Sequence, residues 1–123
     1  DIMVISGHVD PIDPEAKQFA TVLDNVSSKF RVANQTSGEY FATRWNGRGL
    51  ATFDADQDGR LDAVVSHLDE TSHLLKNEST GTAKYLNVRL IGTTSVRNAV
   101  GSWAILRSGT HQQLLHVYGG GSY

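Results

Sequence analysis

Short apolar runs rich in β-branched residues, separated by polar turns, recur along this 123-residue chain. Leu50-Ala51-Thr52-Phe53 and the stretch from Leu61 to Ser66 are two such runs, and their length and composition predict strands on either side of a polar loop. Leu86-Asn87-Val88-Arg89-Leu90 alternates strictly between apolar and polar, the period of a half-buried strand with one wet face. Trp103 to Arg107 and Gln112 to Tyr118 predict two further strands, joined through Ser108-Gly109-Thr110-His111 as a hairpin. One segment changes period. Asp13 as N-cap, Pro14 at the first helical position, and Ala16, Phe19, Ala20 and Leu23 at helical spacing predict a short helix that packs its apolar stripe on a sheet. The expected fold is all-β and mostly antiparallel with one short helix.

The loop between the first two runs carries the clearest chemistry. Asp54-Ala55-Asp56-Gln57-Asp58-Gly59-Arg60-Leu61-Asp62 places carboxylates at positions 1, 3, 5 and 9, with glycine at position 6. Carboxylates this close repel one another unless a hard cation sits among them, and Ca2+ takes six to eight oxygens at flexible geometry. In that reading Asp54, Asp56 and Asp58 supply side-chain oxygens, Arg60 its backbone carbonyl and Asp62 the closing carboxylate, while Gly59 makes the turn. A solvated turn is the plain alternative, but turn chemistry asks for one or two such residues rather than four in register. An EF-hand is excluded, because position 12 is Val65 where a bidentate Glu is needed and the flanks are strand-like.

The chain also echoes itself. Asp1-Ile2-Met3-Val4-Ile5-Ser6-Gly7-His8-Val9-Asp10 resembles the stretch from Asp62 to Asp69, so Asp1 takes the place of a closing ligand from an earlier loop. Phe30 to Asn34 with Gly38 likewise matches Leu74 to Asn77 with Gly81. Repeats of a few short strands with a turn motif at fixed places point to a solenoid or a propeller.

Composition narrows the classes. The net charge is −2 with charged residues mixed along the chain, which offers no basic face to nucleic acid. There is no cysteine, hence no disulfide framework or thiolate metal site. No apolar run reaches the roughly 18 residues of a membrane span, so membrane insertion is not expected. Gly-x-Ser-x-Gly, His-Glu-x-x-His and phosphate-cradling glycine loops are missing from the sequence. His8-Val9-Asp10 and His67-Leu68-Asp69 recur at equivalent points, where strand geometry would let each His and Asp face the same way. Duplicated strand-end hydrogen bonding explains them better than catalysis or a second metal does. Arg44-Trp45-Asn46-Gly47-Arg48 sets an aromatic between two cations, so Arg44, Trp45 and Arg48 form a candidate recognition surface, although such a Trp is more often a core or interblade anchor with the arginines answering nearby Asp charges. Asn25, Asn34 and Asn77 stand in N-x-[ST] sequons.

Together these stretches resemble the FG-GAP/VCBS repeats that build calcium-bearing propeller blades, followed by the start of an ASPIC/UnbV domain. The first resemblance rests on 1–10 and 47–77. The second rests on Asn87-Val88-Arg89-Leu90-Ile91-Gly92, Arg97-Asn98-Ala99-Val100-Gly101 and Gly120-Gly121-Ser122-Tyr123. Val96 and Asn98 depart from the polar Asn and the Asp expected at their places. The resemblance implies propeller-blade-like strands over 1–81 and a truncated C-terminal sheet segment over 82–123, sandwich-like as a whole. It also implies a non-catalytic, Ca2+-binding module of a secreted, periplasmic or cell-surface protein that serves as a scaffold for protein or glycan recognition. An exported enzyme of the hydrolase class, with its active site mostly outside this chain, is the alternative. Exposed strand edges need covering by the helix, by the C-terminal sheet or by a second copy, so a homodimer is among the expectations.

Overall fold

A computed structural model describes residues 1–8, 17–81 and 84–119. The chain divides into two compact units, Asp1–Thr82 and Ala83–Tyr123. The fold is all-β, and every strand pair is antiparallel.

In the first unit, β1 (Ile2–Val4), β3 (Thr21–Val26) and β4 (Lys29–Val32) form one sheet in the order β1-β3-β4. Two two-residue strands, β2 (Gln18–Phe19) and β5 (Arg44–Trp45), pair with each other. A third sheet runs β6 (Gly47–Phe53), β7 (Asp62–His67) and β8 (His73–Leu75), with β7 central. Being central, β7 buries the most: Ala63 and Val65 are buried, Val65 completely. Val65 joins Ala20, Tyr40 and Phe41 in a small core, against which Met3, Ile5, Val22, Trp45, Leu50 and Leu75 pack.

The expected helix is replaced by strands where its residues are described. Phe19 lies in β2 and Leu23 in β3, while Asp13, Pro14 and Ala16 fall outside the described residues. Ladder pairing decides the matter, since Met3 faces Val22 and Leu23 faces Val32, and Thr21, Val22 and Val26 are β-branched. Helical structure among the described residues is confined to two 3-10 turns, Asn34–Thr36 and Glu39–Ala42. Asn34 starts the first of them and serves as a stand-in strand. Its Oδ1 accepts the Val22 N–H at 2.9 Å and its Nδ2 donates to the Ala20 carbonyl at 2.7 Å.

The echo between the first and third sheets is structural, but with a different partner from the one the letters give. In the third sheet Ala63 pairs with Leu75, and Asp62 Oδ1 accepts the N–H of Asn77 at 2.8 Å. In the first, Ile2 pairs with Leu23, and Asp1 Oδ1 accepts the N–H of Asn25 at 2.9 Å. Asn25, not Asn34, is therefore the counterpart of Asn77.

In the second unit β9 (Trp103–Ser108) and β10 (His111–His116) form the expected hairpin in continuous register. Among the described residues the alternating segment 86–90 has no ladder partner, and so it is not a strand. Alternation makes a stretch suitable for a sheet surface but provides no neighbour to bond to. Charge is segregated rather than mixed. Asp1–Thr82 holds all 13 acidic residues against 7 Lys and Arg, a net −6, and Ala83–Tyr123 holds 4 Lys and Arg with no acid, a net +4.

Candidate metal centre

The loop 54–61 closes the β6–β7 hairpin, whose last ladder pair is Phe53 with Asp62. Two carboxylates shape its backbone. Asp54 accepts the N–H of Asp58 on Oδ1 at 3.0 Å and that of Gly59 on Oδ2 at 2.9 Å. Asp62 accepts the N–H of Ala55 on Oδ2 at 2.9 Å while its Oδ1 holds Asn77. The turn needs a left-handed backbone at Gly59 (φ 86°), where glycine is unstrained, and at Gln57 (φ 60°).

This wrapping brings Asp54, Asp56 and Asp58 together, each with a carboxylate oxygen within 4.8 Å of the others. Carboxylate oxygens are hard donors, the ligand type that divalent cations such as Ca2+ and Mg2+ take. Asp62 is buried to 2 % exposure and lies outside that trio, with both oxygens taken by backbone N–H groups. Each carboxylate oxygen has a second lone pair, so these bonds leave acceptor capacity.

Two cations hold the cluster's charge. Lys76 Nζ sits 2.7 Å from Asp56 Oδ2, and this hydrogen-bonded ion pair holds the Asp56 carboxyl below the usual range and the Lys76 ammonium above it. The Arg60 guanidinium pairs with Asp58 through Nη2 and donates from Nε to the Asn77 carbonyl at 2.8 Å. The Arg60 N–H bonds Asp58 Oδ1 at 2.9 Å. Sequence reasoning missed Lys76. It follows Leu75, which pairs with Ala63, so the signal was the register of β8 against β7 rather than any motif.

The other candidate residues, Arg44, Trp45 and Arg48, each have contacts of their own. Arg44 lies over the Phe19 ring at 5.1 Å, and Arg48 reaches the carbonyls of Gly47 and His8. Trp45 stacks on Tyr40 with ring centroids 5.3 Å apart and donates Nε1–H to the Tyr40 carbonyl at 2.9 Å. It is a core anchor within a ring cluster that also contains His67 and His73. His67 bonds not to Asp69 but to Thr71 and Tyr40. A carbonyl only accepts, so Nδ1–H donates to Thr71 O at 3.0 Å and Nε2 of the neutral ring accepts the Tyr40 hydroxyl at 2.9 Å. Burial lowers the His67 pKa and raises that of Tyr40. Asp10 lies outside the described residues. Set beside known proteins, the chain matches no family model, no curated protein and no solved structure.

Proposed function

We propose that this chain is a calcium-binding β module, non-catalytic, from a secreted, periplasmic or cell-surface protein, in which the ion pins a hairpin of a recognition scaffold. The observation that carries the reading is the convergence of Asp54, Asp56 and Asp58 within 4.8 Å on a turn that Asp54 and Asp62 already hold in shape. A preformed oxygen cage lowers the ordering cost of binding. The loop joins two paired strands, so the ion's task is to fix them and not to swing a helix pair.

Extracellular calcium modules bind at about 0.1 to 1 mM. At roughly 1 mM free ion a 0.1 mM site stabilises the fold by about 1.4 kcal/mol, a noticeable part of the ~5–15 kcal/mol that holds a domain together. Isothermal titration of chelator-stripped protein with CaCl2 tests this directly. One saturable site that is lost in Asp56→Asn supports the reading, and no heat beyond dilution overturns it. The rival reading of a hydrolase centred on the His-x-Asp pairs draws no support from His67, whose two ring nitrogens are engaged by Tyr40 and Thr71.

A further inference from the structure

Among its described residues the second unit leaves apolar side chains exposed on both faces of its hairpin. Leu86, Val88 and Leu115 are each more than half exposed, and so are Trp103, Ile105 and Leu114 on the other face of the hairpin. Apolar side chains exposed side by side mark a contact surface in a folded protein. Between the segment 88–98 and the β9–β10 hairpin lies a groove of about 710 Å³, lined by Val88, Leu90, Leu115 and Val117 among others, and by Arg89 and Arg97.

Three features of this groove specify what fits it. The first is charge: among the described residues the guanidinium groups of Arg89 and Arg97 have no hydrogen-bonding or ionic partner, and the unit has no Asp or Glu to supply one. The second is backbone. Residues 86–91 make no backbone hydrogen bond among the described residues, and no turn or bend interrupts 84–92. An unpaired run of N–H and C=O groups is a template for another strand. The third is the apolar lining, which favours side chains over a bare polyanion.

We propose that this groove docks an extended acidic peptide strand of a partner protein, which pairs its backbone with 86–91, sets apolar side chains against Val88, Leu90 and Leu115, and places carboxylates on Arg89 and Arg97. Bidentate carboxylate contacts to arginine supply the charge specificity and strand pairing supplies the register. The inference names the recognition partner for the function proposed above, but it uses no residue of the calcium loop.

The test uses the full chain and a fluorescein-labelled peptide of about eight residues alternating Glu and Val, the length of an ordinary strand. Polarisation should show saturable binding, equal in calcium and in chelator, so failure of the calcium reading and failure of this one are separable. Arg89→Gln with Arg97→Gln should weaken binding about tenfold or more. Arg107→Gln, whose guanidinium already pairs with Gln112 in the hairpin, should leave it unchanged and serves as the folding control. A peptide N-methylated at alternate residues should fail to bind, which separates strand pairing from charge alone. Equal binding of a Lys-Val peptide or of the methylated peptide overturns the proposal. So does binding only to vesicles containing phosphatidylserine, or a chain dimer that the same double substitution dissolves while no peptide binds.

Discussion

Asp62 accepts the backbone N–H of Asn77 at 2.8 Å across the sheet while its other oxygen holds the N–H of Ala55 in the loop. One buried carboxylate thus ties β7 to both its neighbours: the loop leading into it and the chain leaving β8. Asp1 makes the equivalent bond to Asn25 in the first sheet, but from an exposed position. Removing the acceptor leaves two N–H groups unpaired in the first case and one hydrated group in the second. Asp62→Ala is therefore expected to cost about 3 kcal/mol and Asp1→Ala under about 1 kcal/mol. Urea denaturation of the two variants checks the ordering, which would reverse if the bonds to Asp62 carried no net stabilisation.

Calcium should compete with Lys76. The ammonium pairs with Asp56 Oδ2 at 2.7 Å, on a carboxylate of the proposed ion site, and the pair is exposed enough to exchange. Exposed pairs contribute only about 0–1 kcal/mol, so Lys76→Met should tighten calcium binding by up to about fivefold and lower the stability of the chelated protein little. Calorimetric titration measures the first and thermal melting in EGTA the second. An unchanged dissociation constant would place the bound ion away from Asp56.

The loop was legible in the sequence because its chemistry is local: every carboxylate that shapes or lines it lies between Asp54 and Asp62. The hairpin of β9 and β10 was legible for the same reason. What depends on pairing was not. The helical spacing of Phe19, Ala20 and Leu23 is real, yet Val22 and Leu23 find ladder partners in β1 and β4. The alternation at 86–90 is equally real and finds none among the described residues. Aligning Asn34 with Asn77 compared letters, whereas the equivalence of Asn25 with Asn77 is set by register, which no single stretch encodes. The segregation of charge is present in the sequence, whose last acid is Glu78, and the division of the chain after Thr82 makes it a difference between two units.

Acid should destabilise the first unit in two steps. His67 is held neutral between the Tyr40 hydroxyl and the Thr71 carbonyl, with His73 against its ring at a centroid distance of 5.0 Å and Glu70 as the nearby carboxylate. Burial lowers its pKa from the ordinary 6.5, so below pH 6.5 the unfolded chain binds the proton more readily than the folded one. The stabilisation is complete above that pH and is lost as pH falls through the lower, folded value. Glu70 is also depressed, first by its hydrogen bond from Lys17 and further by the Asn46 N–H, from an ordinary 4.5. Its contribution is present above pH 4.5 and fades below it. Melting temperature against pH should thus fall in both windows. His67→Phe should flatten the upper one and Lys17→Met the lower, and a single slope unaffected by His67→Phe would refute the assignment.

Gly7 lies where the chain segment after β1 runs close against the start of β6. A Cβ there would sit 2.6 Å from Asn46 Oδ1 and 2.7 Å from both the Gly47 nitrogen and the Gly47 oxygen. Two of those three atoms are backbone, and Gly47 N–H is itself bonded to the Ser6 carbonyl at 3.2 Å, so the crowding cannot be relieved by turning a side chain. Asn46 is only 5 % exposed, which leaves its amide little room to retreat. Gly7→Ala should consequently cost about 1–3 kcal/mol, the usual range for overpacking. Gly81→Ala provides the contrast, because its Cβ would meet nothing within 4 Å and its backbone is not left-handed. That substitution should change stability by no more than about 0.5 kcal/mol. Chemical denaturation of the pair settles it: equal midpoints would mean that the two segments separate freely in solution.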